Sequence, residues 1–255
     1  MLYHLVKYLS NHFDIPGTGM FLSLSFRAAM SIILALVIGM IFGRKIIRML
    51  QRHQIGEEIR NLGLEGQLQK RGTPTMGGII ILISILIPIL LFGDLTNIYT
   101  QLMIISTLWL GAIGFIDDYI KVFKKHKEGL NGRYKIVGQV GLGLIVGCVM
   151  WLNQDIVVKE KSDKNEPRAQ VEYVTENGTN NAVYVTPAEK SITTTIPFVK
   201  DNEFDYRWLI PGDNDTSDLL SWLVYIAIAI LVITAVSNGA NLTDGLDGLS
   251  AGVSA

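Results

Sequence analysis

The sequence predicts an all-α, polytopic helical membrane protein. Its apolar residues are gathered into five long runs, its basic residues collect in two of the loops between those runs, and one polar stretch of different character interrupts the series. The composition, 49% hydrophobic over 255 residues with a mean hydropathy of +0.35, does not decide the class, because a soluble domain can reach a similar apolar fraction. The distribution does, since no surface helix needs runs of this length.

A bilayer core of about 30 Å requires about 20 mostly apolar residues as helix. Five stretches meet or approach that requirement: roughly 22–43, 77–93, 98–117, 136–152 and 219–237. The second contains the β-branched string IIILISILIPILL, which alone would pass for a buried strand. Five such runs in one chain make it a span, with Pro88 expected to kink it. Arg27, near the start of the first span, can extend its guanidinium to the interface.

Loop charge sets the expected orientation. Segment 44–76 carries Arg44, Lys45, Arg48, Arg52, Arg60, Lys70 and Arg71 against Glu57, Glu58 and Glu65. Segment 117–135 carries Lys121, Lys124, Lys125, Lys127, Arg133 and Lys135 against Asp117, Asp118 and Glu128. Link 94–97 has no basic residue. Positively charged loops stay in the cytoplasm, so both basic segments are expected there, with the N-terminus outside and the tail from Asn238 inside. The expected organisation is a four-span membrane segment over 1–152 with cytoplasmic motif loops, an external polar insertion over 153–218, and a fifth span with a cytoplasmic Asn/Asp/Gly-rich motif over 219–255. The insertion holds thirteen Asp/Glu and seven Lys/Arg. Its alternating strings VEYV and NAVYV flank Asn177-Gly178 and predict a β-hairpin. Asn177-Gly178-Thr179 and Asn214-Asp215-Thr216 match the glycosylation pattern, a weak signal by itself.

Several classes are excluded. A net charge of −1 does not suit a globally basic nucleic-acid binder. A lone cysteine, Cys148, allows neither an intramolecular disulfide nor a multi-cysteine zinc site. The first apolar run lies after residue 20 and leads into basic residues, unlike a signal peptide.

Three motifs carry chemistry. Lys70-Arg71-Gly72-Thr73-Pro74-Thr75-Met76-Gly77-Gly78 leads a basic loop into the second span. Its glycines permit close backbone approach, free N–H groups at a helix start bind anions, and Lys70 and Arg71 add charge for phosphates. A plain Pro/Gly helix start with positive-inside residues would look much the same. Gly114-Phe115-Ile116-Asp117-Asp118-Tyr119-Ile120-Lys121-Val122 ends the third span. Its adjacent carboxylates point about 100° apart on a helix and can take different roles. Asp117, Lys121 and Lys125 form an i, i+4, i+8 stripe, which is either an interfacial salt-bridge ladder or a phosphate-handling surface. Paired aspartates abutting an apolar span are costly to desolvate, which favours function. The string from Ser237 to Ser250 spaces Asn238, Asn241, Asp244 and Asp247 three apart, with Gly239, Gly245 and Gly248 expected to interrupt a regular helix. Its oxygen donors suit a hard cation and phosphates, in a spacing unlike an EF-hand loop.

In this order, the strings GTPTMGG, GFIDDYIKV and NLTDGLDGLSAG resemble the polyprenyl-phosphate N-acetylhexosamine-1-phosphate transferase superfamily, most closely its bacterial muramoyl-pentapeptide branch. The similarity covers most of 20–152 and 219–255. The resemblance implies an inner-membrane enzyme of cell-wall synthesis, with an external N-terminus, a cytoplasmic site and bound Mg²⁺. It implies the substrates UDP-N-acetylmuramoyl-pentapeptide and undecaprenyl phosphate and the products lipid I and UMP. Carried over by position, Asp117 or Asp118 is the general base or orienter at the lipid phosphate, with a covalent aspartyl intermediate as the alternative. Asn241 and Asp244 sit at metal and diphosphate, Asp247 lies nearer the uridine, Lys70 and Thr75 contact the nucleotide sugar, and Lys121 and Lys125 draw in phosphates. The resemblance also implies more spans than five. The chain stops at Ala255, inside or just after the third motif, so a fragment inactive by itself is expected. The insertion is longer than the resemblance leads one to expect. A sister enzyme using UDP-N-acetylglucosamine and a transporter are the rival readings; the TPTMGG string disfavours the first, and acids at span ends rather than at the midplane disfavour the second. Oligomeric state, a homodimer included, is left open.

Overall fold

In the computed structural model, the described residues are 1–13, 16–52, 76–124, 129–158, 170–176, 179–196, 203–210, 212 and 214–244, with backbone alone at 172–176, 179–181 and 244. They form α1 (Leu2–His12), α2 (Thr18–Leu22), α3 (Leu24–Arg52), α4 (Gly78–Phe92), α5 (Ile98–Phe123), α6 (Gly132–Leu152), β1 (Gln170–Glu176), β2 (Thr179–Val185), β3 (Thr193–Thr195), β4 (Glu203–Asp205), a 3₁₀ turn (Tyr206–Leu209) and α7 (Asp215–Asp244). The chain divides into two compact units, residues 1–142 and 143–255.

Among the described residues four helices, α3, α5, α6 and α7, are long and apolar enough to cross a membrane. The expected second span is the 15-residue α4, about 22 Å at the helical rise and short of a 30 Å core. It continues through Pro88, which is fully buried. The large apolar side chains mostly face outward: Ile32, Leu36 and Met40 of α3, one turn apart, are 63%, 61% and 67% exposed. In water such a stripe would drive aggregation; in lipid it is the expected outer surface.

In the first unit, α3 packs along α4. Gly39 and Gly43, four apart, supply the contact face: a methyl group on Gly39 would meet Ser84 Oγ at 3.6 Å, and one on Gly43 would meet Ile80 at 3.7 Å. Lipid gives little hydrophobic drive for helices to associate, so close packing along small residues takes its place. The C-terminal end of α4 is covered by α1, an element the apolar runs did not anticipate. Its sequence LYHLVKYLSNH is too mixed for a span. Arg27 stacks on Tyr3, 4.2 Å from the ring centroid, and donates to the Phe92 carbonyl at 3.3 Å. The Leu95 amide donates to His4 Nε2 at 3.1 Å. Both groups thus serve the end of α4, where helix carbonyls and loop amides lack intrahelical partners. Asn97 then caps α5, accepting from the Tyr99 and Thr100 amides.

In the second unit, Gly143 and Gly147 receive Ile230 and Ile226 of α7. Trp151 stacks on Trp222, which meets Tyr225 edge-on, and Tyr225 meets Tyr206. Such Trp/Tyr clusters mark a membrane–water boundary. The expected hairpin is present: β1 and β2 pair antiparallel from Gln170↔Val185 to Glu176↔Thr179, and its turn residues Asn177 and Gly178 lie outside the described residues. A second, short antiparallel pair joins β3 to β4. One expectation fails. Gly239 does not interrupt the helix, and α7 runs unbroken to Asp244, while Gly245 and Gly248 lie outside the described residues. Nothing lies within 4 Å of where a side chain at Gly239 would start, and a single helical glycine costs only about 1 kcal/mol.

The two glycine contacts make a differential prediction. A methyl on Gly143 would stand 2.8 Å from the Ile230 Cα, a backbone atom that cannot swing away. Gly143→Ala should therefore destabilise the protein by about 1–3 kcal/mol. Gly39→Ala, with room for ordinary contact, should be neutral or stabilising by up to about 1 kcal/mol. Thermal unfolding in detergent compares the two, and equal Tm values would contradict the packing described.

Candidate active site

One end of the first unit is built where three helix ends meet. Leu50, near the end of α3, and Met76, just before α4, are both buried and pack with Ile46, Ile79 and Val122. Val122 belongs to the last turn of α5. The end of the first motif, at Met76, is thereby brought against the end of the second. Met76 has φ +69°, the one left-handed non-glycine among the described residues. Such a conformation costs about 1–3 kcal/mol and is held only where the surroundings fix it.

One turn back along α5, Asp117 is buried, 6% exposed. Lys121 Nζ lies 2.8 Å from its Oδ2. Lys135 Nζ lies 2.9 Å from its Oδ1, and the Leu130 amide donates to the same Oδ1 at 2.7 Å. Both carboxylate oxygens are therefore occupied, one of them twice. The cations come from different elements. Lys121 follows Asp117 by one helical turn, as the stripe predicted. Lys135 lies in the first turn of α6, whose start is fixed by Asn131: its side chain accepts from the Arg133 amide at 3.2 Å. Gly129, with φ +69°, turns the chain so that Leu130 reaches Asp117. Two ammonium groups on one carboxylate leave the cluster with a net charge of +1, so it holds a negative charge out of water and still attracts anions.

Of the residues singled out from sequence, Asp117 and Lys121 are brought together. Asp118 lies on the next position of α5 and is half-buried. Asn241 is exposed on the last turn of α7, three positions before Asp244. Lys70, Thr75, Lys125 and Asp247 lie outside the described residues. Lys135 was missed as a site residue: in sequence it is one more positive-inside lysine, eighteen positions from Asp117, and only the turn at Gly129 pairs them. Among the described residues no cluster of three or more His, Cys, Asp or Glu side chains gathers as a metal site.

Residues 70–82 match the phospho-N-acetylmuramoyl-pentapeptide-transferase signature, and residues 191–255 match the glycosyl transferase family 4 profile. Over its whole length the chain is 53% identical to the phospho-N-acetylmuramoyl-pentapeptide-transferase of Flavobacterium psychrophilum, 56% to that of Parabacteroides distasonis and 53% to that of Porphyromonas gingivalis. The chain is similar along its whole length to transferases of this name. It spans 61%, 58% and 58% of the lengths of those three relatives.

The cluster makes a stability prediction. Lys135 is less exposed than Lys121, 20% against 41%. Lys135→Met leaves Oδ1 of a buried carboxylate short of its ion pair and should cost about 1.5–3 kcal/mol. Lys121→Met, nearer solvent, should cost less. Paired melting curves check the order, and a larger loss for Lys121→Met would reverse it.

Proposed function

We propose that the full-length protein transfers phospho-N-acetylmuramoyl-pentapeptide from its UDP derivative to undecaprenyl phosphate, releasing UMP and forming lipid I. The reaction would take place at the cytoplasmic face of a bacterial inner membrane, within the cell-wall synthesis that underlies cell shape and division. The observation that carries this reading is the buried Asp117 held between Lys121 and Lys135 at the end of an apolar helix. It supports a site where a lipid-borne anion meets a water-borne one. The relatives' names supply the substrate class, and the match over 70–82 favours the muramoyl-pentapeptide donor over UDP-N-acetylglucosamine. The orientation follows from the basic loops 44–76 and 117–135, which place 153–218 outside.

In the proposed reaction an oxygen of the lipid phosphate attacks the sugar-proximal phosphorus. That P–O bond forms as the bond to the UMP phosphate breaks, and UMP leaves with the bridging oxygen. Both partners are anionic, so the residues must position them and neutralise charge. Lys121 and Lys135 do this for the phosphates. Asp117, with both oxygens engaged, is the orienter that holds the two lysines side by side. Asp118 takes the role of the carboxylate that accepts the proton from the lipid phosphate, as the family resemblance implies. Lys70, Thr75 and Lys125 complete the anion-binding surface, with Asp247 towards the uridine. Asn241 and Asp244, by residue type and by the family resemblance, would hold Mg²⁺ through hard oxygen donors. When bound there, the ion supplies charge neutralisation at the diphosphate.

The test is UMP release in membranes carrying the full-length protein, at saturating substrate and normalised to monodisperse extracted protein. Asp117→Asn, Asp118→Asn and Asp244→Asn should each lower kcat by about 10²-fold or more. Glu128→Gln, outside the motifs, should not. Three Asn variants turning over like the Glu128 control would sink the site. Turnover should also stop in excess EDTA and return on adding Mg²⁺ or Mn²⁺; a rate indifferent to chelation would remove the metal from the reading.

A further inference from the structure

We propose that Gly129 is a positioning residue of this site: its left-handed turn, and its lack of a side chain, let the backbone close onto Asp117 and hold that carboxylate against its two lysines. The proposal rests on the reading of Asp117, Lys121 and Lys135 as the reacting site, and it assigns a role to a residue that carries no chemistry of its own.

Two requirements meet at this position. The φ of +69° favours glycine, because an L side chain crowds the backbone there. Space is the second. A Cβ at Gly129 would run into Asp117 Oδ1, and it would stand 2.6 Å from Cε and 3.1 Å from Cγ of Lys121. The threatened oxygen is the one that takes both the Leu130 amide and Lys135. Moving it disturbs both bonds, and turning the carboxylate to make room would carry Oδ2 away from Lys121. The other left-handed glycines among the described residues differ. Gly17 has nothing within 4 Å of where a methyl would stand, and Gly212 would make only a 3.5 Å contact with Ser217. Gly132, three residues after Gly129 and at the start of α6, also has open space. Conformation and crowding coincide at Gly129, directly on the carboxylate.

The experiment uses the full-length protein in membranes, with UMP release and thermal unfolding as readouts. Gly129→Ala tests conformation and space together. Gly129→Asn tolerates the left-handed conformation but still carries a Cβ. Both variants should lower kcat by about 10²-fold, as a misplacement near 1 Å does, with KM for either substrate changed by less than about threefold. Gly132→Ala should turn over like the parent. The contact itself is tested by a melting cycle: the Tm loss caused by Gly129→Ala should shrink by at least half when Asp117 is also replaced by Ala, because the clash partner is gone. A Gly129→Asn enzyme with parental kcat overturns the proposal. So does an equal Tm loss with and without the Asp117 carboxylate. If Gly129→Ala alone does not fold, recovery of a folded protein in the Gly129→Ala/Asp117→Ala double variant supports the proposal and failure to recover overturns it. Full turnover by Asp117→Asn would sink the site reading through a different measurement, leaving the melting cycle to report on the contact.

Discussion

A carboxylate withdrawn from water must receive its hydrogen bonds and its countercharge from the protein, and Asp117 is where that demand shapes the fold. One partner, Lys121, comes from the same helix, one turn on. The others come from the Leu130 amide and from Lys135 at the start of α6. Satisfying both oxygens therefore ties the end of α5 to the start of the next helix through one tight turn. The neighbouring cluster of Leu50, Met76 and Val122 fixes α3 and the start of α4 to the same end. Apolar packing brings the helix ends together, and the buried ion group sets their register at this point.

Elsewhere the protein solves a different problem. Along the spans there is little hydrophobic drive, because lipid is as apolar as the side chains facing it. Close approach takes over, through Gly39 and Gly43 against α4 and through Gly143 and Gly147 against α7. The short α4 is the exposed weakness of this arrangement. Its C-terminal end is covered by the Arg27 guanidinium at the Phe92 carbonyl and by the α1 helix carrying Tyr3 and His4. Arg27, positioned in sequence to reach for the interface, finds a helix end and an aromatic face there, so its charge is used in packing as well as in solvation.

These two solutions bear directly on the proposed chemistry. Joining two anions requires positive charge held rigidly in place. Lysines on flexible stems provide the charge but not the rigidity. A buried carboxylate between them supplies rigidity at the expense of one unit of charge, leaving the cluster still positive. The left-handed residues Met76 and Gly129 lie on the two chain segments that approach this end of the unit; the conformation is strained at Met76 and natural for glycine at 129.

The sequence by itself determined the membrane class, four of the five expected spans and the three motifs, because these depend on local apolar length and on side-chain type at short spacing. It also determined the β1–β2 hairpin, through alternation around Asn177-Gly178. It did not reveal α1, whose mixed character has no long apolar run, and it read Gly239 as an interruption although one glycine costs too little to end a 30-residue helix. The Asp117–Lys121 pair was legible because both residues lie on one helix, four apart. The Asp117–Lys135 pair, the Leu130 amide and the need for glycine at 129 were decided only by tertiary structure. They depend on how the chain turns between two helices and on which atoms then compete for the same few ångströms, and no local spacing records that.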